Sequence, residues 1–344
     1  MQVNDLLQKL NLGNAVAEYD DALERYFVET ATFEQMISDQ ADVIAGDKGT
    51  GKTALFRILE RRYRNIDQLE NVEVLAAFNP TGNPVFQRLA EGDPLEEGQY
   101  VSLWKAYVLA LAGNWLLEVF SDAWTETLFE LDVLLQKVSL RSVDDSPTTV
   151  FSQIVNLFRR LMNPKATEFV ITPRPDGLPI IAGRVEFEQP SGDEEVAFVS
   201  HDEALALLNR ALDELDVTLW LGLDRLDEAF AGFPLAEIPA LRALLRSYLD
   251  LNAFPRLRPK LFVRKDLFRR IIEGGFVNLT HVNARKVEIV WDEDDLFALL
   301  ARRIAENEDF VRELELENAE ASTVFAAVFP PQVDPGDRKP TTWN

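Results

Sequence analysis

Hydrophobic residues occur along this chain in two patterns, one typical of strands and the other typical of helices. Short and nearly continuous apolar runs occur at 42–45, 72–78, 217–223, 261–263 and 287–291. Such runs are typical of parallel strands that are covered on both faces of a sheet. Between the runs, apolar residues recur every three or four positions, which is the spacing of one helix face. The pattern therefore predicts an α/β fold, arranged as a three-layer sandwich around a central, mostly parallel sheet.

The same pattern divides the chain into a lead-in, a core, an insertion and a lid. The predicted regions are a helical lead-in (1–40), a core (41–80 and 200–291), an insertion (81–199) and the start of a helical lid or C-terminal domain (292–344). Because the tail is rich in proline and stops abruptly, we expect the native chain to continue beyond Asn344.

The insertion is predicted to be mainly helical and to carry one β-hairpin. Its helices are expected over 101–120, 124–138 and 150–162. The hairpin pairs 169–172 with 180–187 around the turn signal Pro175-Asp176-Gly177.

Two predicted helices, one in the core and one in the lid, begin with residues that are typical of helix N-terminal caps. Ser200 and Glu203 form a capping box, in which each side chain reaches the backbone of the other residue. Asp292 precedes an acidic first turn and is predicted to cap the lid helix.

Charge and composition narrow the classes of partner. The chain has 344 residues, with 35 basic and 58 acidic side chains and a net charge of −23. This charge does not indicate nucleic-acid binding, but it does not exclude binding through a local basic patch. The chain has no cysteine, so it has no disulfide or thiolate metal site, as is common in cytoplasmic proteins. The most apolar window, 101–120, contains Lys105 and Glu118, and we therefore expect a cytoplasmic protein without a membrane span.

One segment carries a phosphate-binding motif. The pattern G-x-x-x-x-G-K-[ST] is matched by Gly46-Asp47-Lys48-Gly49-Thr50-Gly51-Lys52-Thr53, which Ala54 follows. Glycines let backbone N–H groups approach phosphate oxygens at the start of a helix, where the dipole favours an anion. Lys52 is predicted to reach the β- and γ-phosphates, and the Thr53 hydroxyl is predicted to bind Mg²⁺. The strand predicted before this loop and the helix predicted after it support this assignment.

A second group of candidate residues follows the apolar run at 217–223. Asp224 stands directly after that run, where a carboxylate could help hold Mg²⁺. Asp227 and Glu228 follow, and one of them could polarise the attacking water. We favour Glu228, with Asp227 as the alternative. A solvated strand–helix turn would also explain these three acidic residues.

Several arginines are candidates for sensing the γ-phosphate. Arg264 stands at the carboxyl end of the run at 261–263, and strand carboxyl ends form the ligand crevice of an open parallel sheet. A basic surface patch explains Arg264 equally well. Arg302 and Arg303 could approach from the lid, or they could be ordinary helix-face residues.

These motifs resemble those of bacterial P-loop ATPases of the AAA+/STAND superfamily, especially the origin-recognition-like, NACHT and KAP groups. The resemblance rests on the lead-in at 13–30, the phosphate loop at 46–55, Leu223-Asp224-Arg225-Leu226-Asp227-Glu228, and the segments at 262–268 and 287–303. It spans most of the chain outside the insertion. The usual Asn or Thr of the AAA+ sensor strand is not evident, Arg264 stands near its place, and no arginine finger can be assigned.

The resemblance implies ATP binding, Mg²⁺-dependent hydrolysis, a homo-oligomer and a conformational switch. Members often act beside a separate effector protein in anti-phage systems. The leading hypothesis is therefore a regulatory ATPase. A DNA-handling ATPase of the loader or remodeller type is the alternative, followed by a small-molecule P-loop kinase and by a scaffold that binds nucleotide without turnover.

Overall fold

A computed structural model gives the fold of most of the chain. It describes residues 7–8, 10–14, 16–78, 95–138, 140–141, 150, 154, 170–173, 179–182, 200–229, 234–273 and 275–329. Statements about structure below refer to these residues.

The core is a five-stranded sheet in which every pairing is parallel. Its strands lie in the order β2-β5-β6-β1-β7. They are β1 (Val43–Gly46), β2 (Val72–Phe78), β5 (Thr218–Leu223), β6 (Leu257–Arg264) and β7 (Lys286–Glu288). A separate antiparallel pair is formed by β3 (Val170–Pro173) and β4 (Pro179–Ala182). The α/β prediction with a central parallel sheet is confirmed.

Helices account for most of the remaining described chain. The α-helices are α1 (Leu23–Tyr26), α2 (Ala31–Ile37), α3 (Lys52–Arg62), α4 (Glu97–Val119), α5 (Glu126–Lys137), α6 (His201–Glu214), α7 (Leu226–Ala229), α8 (Pro234–Leu251), α9 (Lys265–Ile272), α10 (Leu279–Ala284), α11 (Glu293–Ala305), α12 (Glu308–Glu313) and α13 (Ala321–Ala326). None of the helices in the described part of the chain combines the length and apolar character needed to cross a bilayer.

Alternate residues of each central strand supply two separate hydrophobic cores. On β1, Val43 and Ala45 belong to the core that contains α4, α6 and α8, whereas Ile44 belongs to the core that contains α1, α2 and α3. The other inner strands divide their side chains between the same two cores. Helices therefore cover both faces of the sheet, which explains why the central strands β1 and β5 contain no charged residue.

The predicted helix beginnings are confirmed. Ser200 caps α6, and its side chain and that of Glu203 each accept a hydrogen bond from the other's backbone N–H. Asp292 caps α11 by accepting from the N–H of Asp295 at 2.8 Å.

The first predicted insertion helix is buried in the core beside the sheet. It forms α4, and its Trp104 and Tyr107 are fully buried in the same apolar cluster as Leu221 of β5. The indole of Trp104 donates to the carbonyl oxygen of Ala240 in α8 at 2.9 Å. The two strands of the predicted hairpin pair with Val170 opposite Ala182. The turn at 175–177 and nearly all of the predicted helix at 150–162 lie outside the described residues.

Strand β6 begins earlier than its apolar pattern predicted. The sequence indicated 261–263, but the strand starts at Leu257 and includes Pro259 and Lys260. Proline lacks the N–H that a strand normally donates. The next N–H on that side, at Leu261, donates to Asp42 O, and the register of β1 with β6 begins opposite Leu261. Pro259 therefore lies before β1 begins, where β6 pairs with β5 alone.

A glycine in β5 fixes how closely α3 approaches the sheet. A Cβ on Gly222 would lie only 2.1 Å from the ring of Phe56, which is fully buried in α3. We expect Gly222→Ala to lower the free energy of unfolding by about 1–3 kcal/mol through overpacking. Urea unfolding checks this. The double variant Gly222→Ala/Phe56→Leu should be less destabilised than the sum of its single changes, and strict additivity would contradict the proposed contact.

Candidate functional site

The predicted phosphate loop joins β1 to α3 at the carboxyl edge of the sheet. Gly46 ends β1, and Gly49 and Gly51 have φ angles of +84° and +94°. L-residues with a Cβ rarely adopt such angles, so the motif glycines here permit the turn. Gly51 is the N-cap residue of α3 and Lys52 is its first residue. The backbone of the loop therefore meets a helix N-terminus, where N–H groups and the helix dipole both favour an anion.

The Lys52 side chain lies across this loop. Its Nζ donates to the carbonyl oxygens of Gly46 at 3.0 Å and Asp47 at 2.9 Å. Burial lowers the pKa of Lys52, and the charges of Asp224 and Asp227 partly oppose that shift. Lys52 is thus a cation that neutral backbone oxygens hold beside the predicted carboxylates. A phosphate group can replace these oxygens as the partner of Lys52.

Asp224 and Thr53 come together below the loop. Asp224 follows β5 and is 2% exposed. Burial raises its pKa to about 6, while a hydrogen bond with the Thr53 side chain and the charge of Lys52 act in the opposite direction. The Oδ2 atom of Asp224 is buried and has no hydrogen-bond partner within the described residues. A buried carboxylate oxygen without a partner, next to a hydroxyl group, suits an oxygen-preferring cation such as Mg²⁺.

Arg264 lies between the two halves of the site. It ends β6, the strand between β1 and β5, and it lies in register with Gly46. Its guanidinium donates to Asp227 Oδ2 at 3.2 Å and to Asp266 Oδ2 at 2.7 Å. These hydrogen bonds raise the pKa of Arg264. The structure thus brings Arg264 and Asp227 together at the carboxyl edge of the sheet.

Glu228 has a different neighbourhood from Asp227. Its carboxylate accepts from Arg225, with Arg225 Nε to Glu228 Oε1 at 2.7 Å. Arg225 also lies 3.6 Å from Glu18 of the lead-in, and its φ angle is +56°. Arg225 therefore connects the turn after Asp224 to the lead-in. The choice between Asp227 and Glu228 as the residue that acts on water stays a prediction.

Lid residues Arg302 and Arg303 contact the lead-in in this arrangement. Arg302 donates to the carbonyl oxygen of Phe27, and the Arg303 guanidinium lies 4.7 Å from the centre of the Tyr26 ring. An exposed ion pair of 3.0 Å joins Arg25 to Glu306. These contacts attach α11 to the segment around α1.

Two residues beside the loop were missed by sequence reasoning. The Trp291 indole donates to the carbonyl oxygen of Thr50 at 2.9 Å. Lys265 Nζ lies 3.1 Å from Glu288 and 3.9 Å from Asp47 of the loop. Lys265 follows one predicted strand and Trp291 ends another, so their position at strand carboxyl ends is the available signal. The strand predicted over 287–291 is shorter in the structure, where β7 ends at Glu288 and Trp291 lies beyond it.

Comparison with known proteins supports a relationship to ATPases. A protein-family model described as ORC-CDC6-like matches residues 9–163, which include the phosphate loop and end before Asp224. The transposon gamma-delta 80.3 kDa protein of Escherichia coli (strain K12) is 22% identical over 307 residues. That alignment covers 88% of this chain and 40% of the relative, so the chain spans less than half of that protein's length. No solved structure matches significantly.

The observed fold agrees with the family match. The matched region contains the predicted phosphate loop, and the structure places that loop between a parallel strand and a helix. Helices cover both faces of the sheet. These observations relate the chain to the P-loop ATPases of the AAA+ group.

Proposed function

We propose that this protein binds ATP with Mg²⁺ and hydrolyses it, and that the nucleotide state regulates its conformation or assembly. One observation carries the proposal. Asp224 presents a buried oxygen that has no hydrogen-bond partner in the described part of the chain, beside the Thr53 hydroxyl and close to Lys52. A structural aspartate in this position would be expected to have its hydrogen bonds satisfied. A site that receives a cation with phosphate oxygens explains the oxygen better.

Each residue has a separate role in this proposal. The backbone N–H groups of the loop at 46–54 and the Lys52 ammonium bind and orient the phosphates. Thr53 and Asp224 would hold Mg²⁺, which supplies positive charge to the phosphate oxygens when bound. Arg264, in register with the last residue of β1, is positioned to respond to the γ-phosphate. We assign the polarisation of water to Asp227, because it contacts Arg264 and lies near Lys52, whereas Glu228 contacts Arg225, which connects to the lead-in.

ATP turnover by the purified protein, with and without Mg²⁺, tests the proposal directly. We expect Mg²⁺-dependent release of phosphate, and we expect Asp227→Asn to lower kcat about 10²-fold because general-base assistance of this kind contributes 10²–10⁴-fold. Glu228→Gln is the matched comparison, since it removes a neighbouring carboxylate on the same helix. We expect it to have the smaller effect.

The two variants also separate the alternatives. A larger loss in Glu228→Gln would return the role to Glu228 and would mean that Arg225 releases it when nucleotide binds. Wild-type turnover in both variants would mean that neither carboxylate acts on the attacking water. No turnover in the wild type would leave only nucleotide binding. If turnover required an added metabolite as phosphate acceptor, the protein would be a P-loop kinase.

The proposed regulatory role rests on how the lid is attached. Helix α11 follows β7 directly and contacts the lead-in through Arg302 and Arg303. ATP shifts such an arrangement only if it binds two conformations with different affinities. Mass measurement of the full protein with and without ATP would detect a homo-oligomer that depends on nucleotide. Action beside an effector protein, in anti-phage defence or elsewhere, is a further part of this proposal.

A DNA-handling ATPase is the second candidate, and the ORC-CDC6-like match favours it. The net charge of −23 opposes binding through bulk electrostatics. Titration of the full protein with duplex DNA at several salt concentrations distinguishes the candidates. Binding that weakens steeply with salt would support the DNA-handling function, and no binding at low salt would exclude it.

A further inference from the structure

We propose that Trp291 is a positioning residue that orients the phosphate loop and ties it to the first turn of the lid helix. This inference rests on the proposed nucleotide site. Thr50, whose carbonyl oxygen accepts the 2.9 Å hydrogen bond from the Trp291 indole, lies between the two glycines with positive φ.

The hydrogen bond sets the direction of one backbone donor. In a planar trans peptide, the carbonyl of one residue and the N–H of the next point in opposite directions. When Trp291 holds the Thr50 carbonyl, the Gly51 N–H is directed to the opposite side of the loop. The Trp291 ring also lies beside this peptide, since a Cβ on Gly51 would be 3.8 Å from it. A loop of glycines is flexible by itself, so an external partner reduces the entropy lost when phosphate binds.

The same residue connects the loop to the lid. Trp291 directly precedes Asp292, the N-cap residue of α11, and it packs with Leu299 of that helix against the core that contains α3. Just before it, the N–H of Ile289 donates to Ala45 O of β1 at 2.8 Å. The helices that follow have a small core of their own around Ile304 and Phe310. A displacement of α11 would therefore act on the Thr50–Gly51 peptide through the Trp291 side chain.

The test compares Trp291→Phe with Trp124→Phe. The first variant keeps an aromatic ring but removes the N–H donor at the loop. The second makes the same substitution at an exposed tryptophan between α4 and α5. We expect Trp291→Phe to bind ATP and ADP about 3- to 10-fold more weakly, as the loss of one hydrogen bond predicts, and Trp124→Phe to bind as the wild type does. The change of tryptophan fluorescence on adding nucleotide should be lost only in Trp291→Phe.

Hydrogen exchange without nucleotide supplies an independent readout. Amides at 49–53 should exchange faster in Trp291→Phe, while those of β5 and β6 should keep their wild-type rates. Faster exchange across the whole sheet would show general destabilisation and would overturn the positioning role.

Failure of this inference is distinguishable from failure of the proposed function. If the wild type binds nucleotide and both Phe variants bind equally well, Trp291 is not a positioning residue, while the ATP site stands. If the wild type binds no nucleotide with Mg²⁺, the proposed function fails and this inference fails with it.

Discussion

Replacing Lys52 by alanine is expected to reduce ATP turnover by about 10²- to 10³-fold, which is the usual effect of removing one preorganised donor from developing charge. Its ammonium group lies over the loop, held by the carbonyl oxygens of Gly46 and Asp47. A negatively charged triphosphate attracts the ammonium group more strongly than these neutral oxygens do, so it can replace them. Turnover and ATP affinity should both fall, because the lysine contacts the substrate before and during the reaction.

Lys137→Ala is the matched control for Lys52→Ala. Lys137 is an exposed lysine in the last turn of α5, and its removal changes the net charge by the same amount. The control separates the local effect from a general change of charge. Wild-type turnover in Lys52→Ala, with an unchanged KM for ATP, would rule out the proposed role of the phosphate loop.

The features that the sequence predicted well depend on local signals. The loop at 46–53 is specified by its own residue types, and the strand at 217–223 is specified by an uninterrupted apolar run. Both signals act within one segment, so neither requires knowledge of distant residues. The capped beginnings of α6 and α11 are predictable for the same reason.

Contacts between distant segments that no motif indicates could not be predicted. Lys260 made the early part of β6 look polar, yet its side chain is fully buried. Its Nζ lies 2.8 Å from Asp42 and 3.9 Å from the centre of the Trp220 ring. No local pattern indicates that these partners, which lie on other strands or beside them, neutralise a buried lysine.

The arginines of α3 illustrate the same limit. The spacing of Arg57 and Arg62 in α3 indicates a polar face and no particular partner. Arg57 and Arg62 instead donate to the carbonyl oxygens of Glu18 and Glu24 in the lead-in. A helical pattern identifies the polar face of a helix, but it does not indicate which other segment of the chain packs against that face.

Replacing Asp42 by asparagine is expected to cause the largest loss of stability. Asp42 is 1% exposed and accepts hydrogen bonds from Tyr248, Lys260 and Arg285. The substitution keeps the size of the side chain but removes its charge. Asp39 would then be the one carboxylate that still pairs with Lys260 among the described residues, and the buried negative charge beside it would be lost. Breaking a buried ion pair in this way typically costs about 3–5 kcal/mol.

Urea unfolding at pH 7 measures this loss, and Asp309→Asn is its control. Asp309 makes an exposed ion pair with Arg312, so the same substitution there should leave the unfolding midpoint unchanged. Equal effects of the two substitutions would show that burial of the Asp42 network contributes nothing to stability.

The pH dependence of the Asp42 effect has a definite sign. Burial alone would raise the pKa of Asp42, but hydrogen bonds and charges from Arg285 and Lys260 lower it below its ordinary value of 3.8. A carboxylate with a lowered pKa in the folded state stabilises the protein fully above its unfolded pKa, and the stabilisation is lost as pH falls through the folded pKa. The stability difference between wild type and Asp42→Asn should therefore be constant above about pH 5 and should shrink below about pH 4.

The position of Asp42 also predicts what the substitution leaves intact. Asp42 precedes β1 at its amino end, whereas the phosphate loop begins at Gly46 at the carboxyl end of the same strand. Stability and nucleotide binding are thus assigned to opposite edges of the sheet. Folded Asp42→Asn should bind ATP with the wild-type Kd in the absence of urea. Weaker binding by the folded variant would mean that the buried network also controls the geometry of the loop.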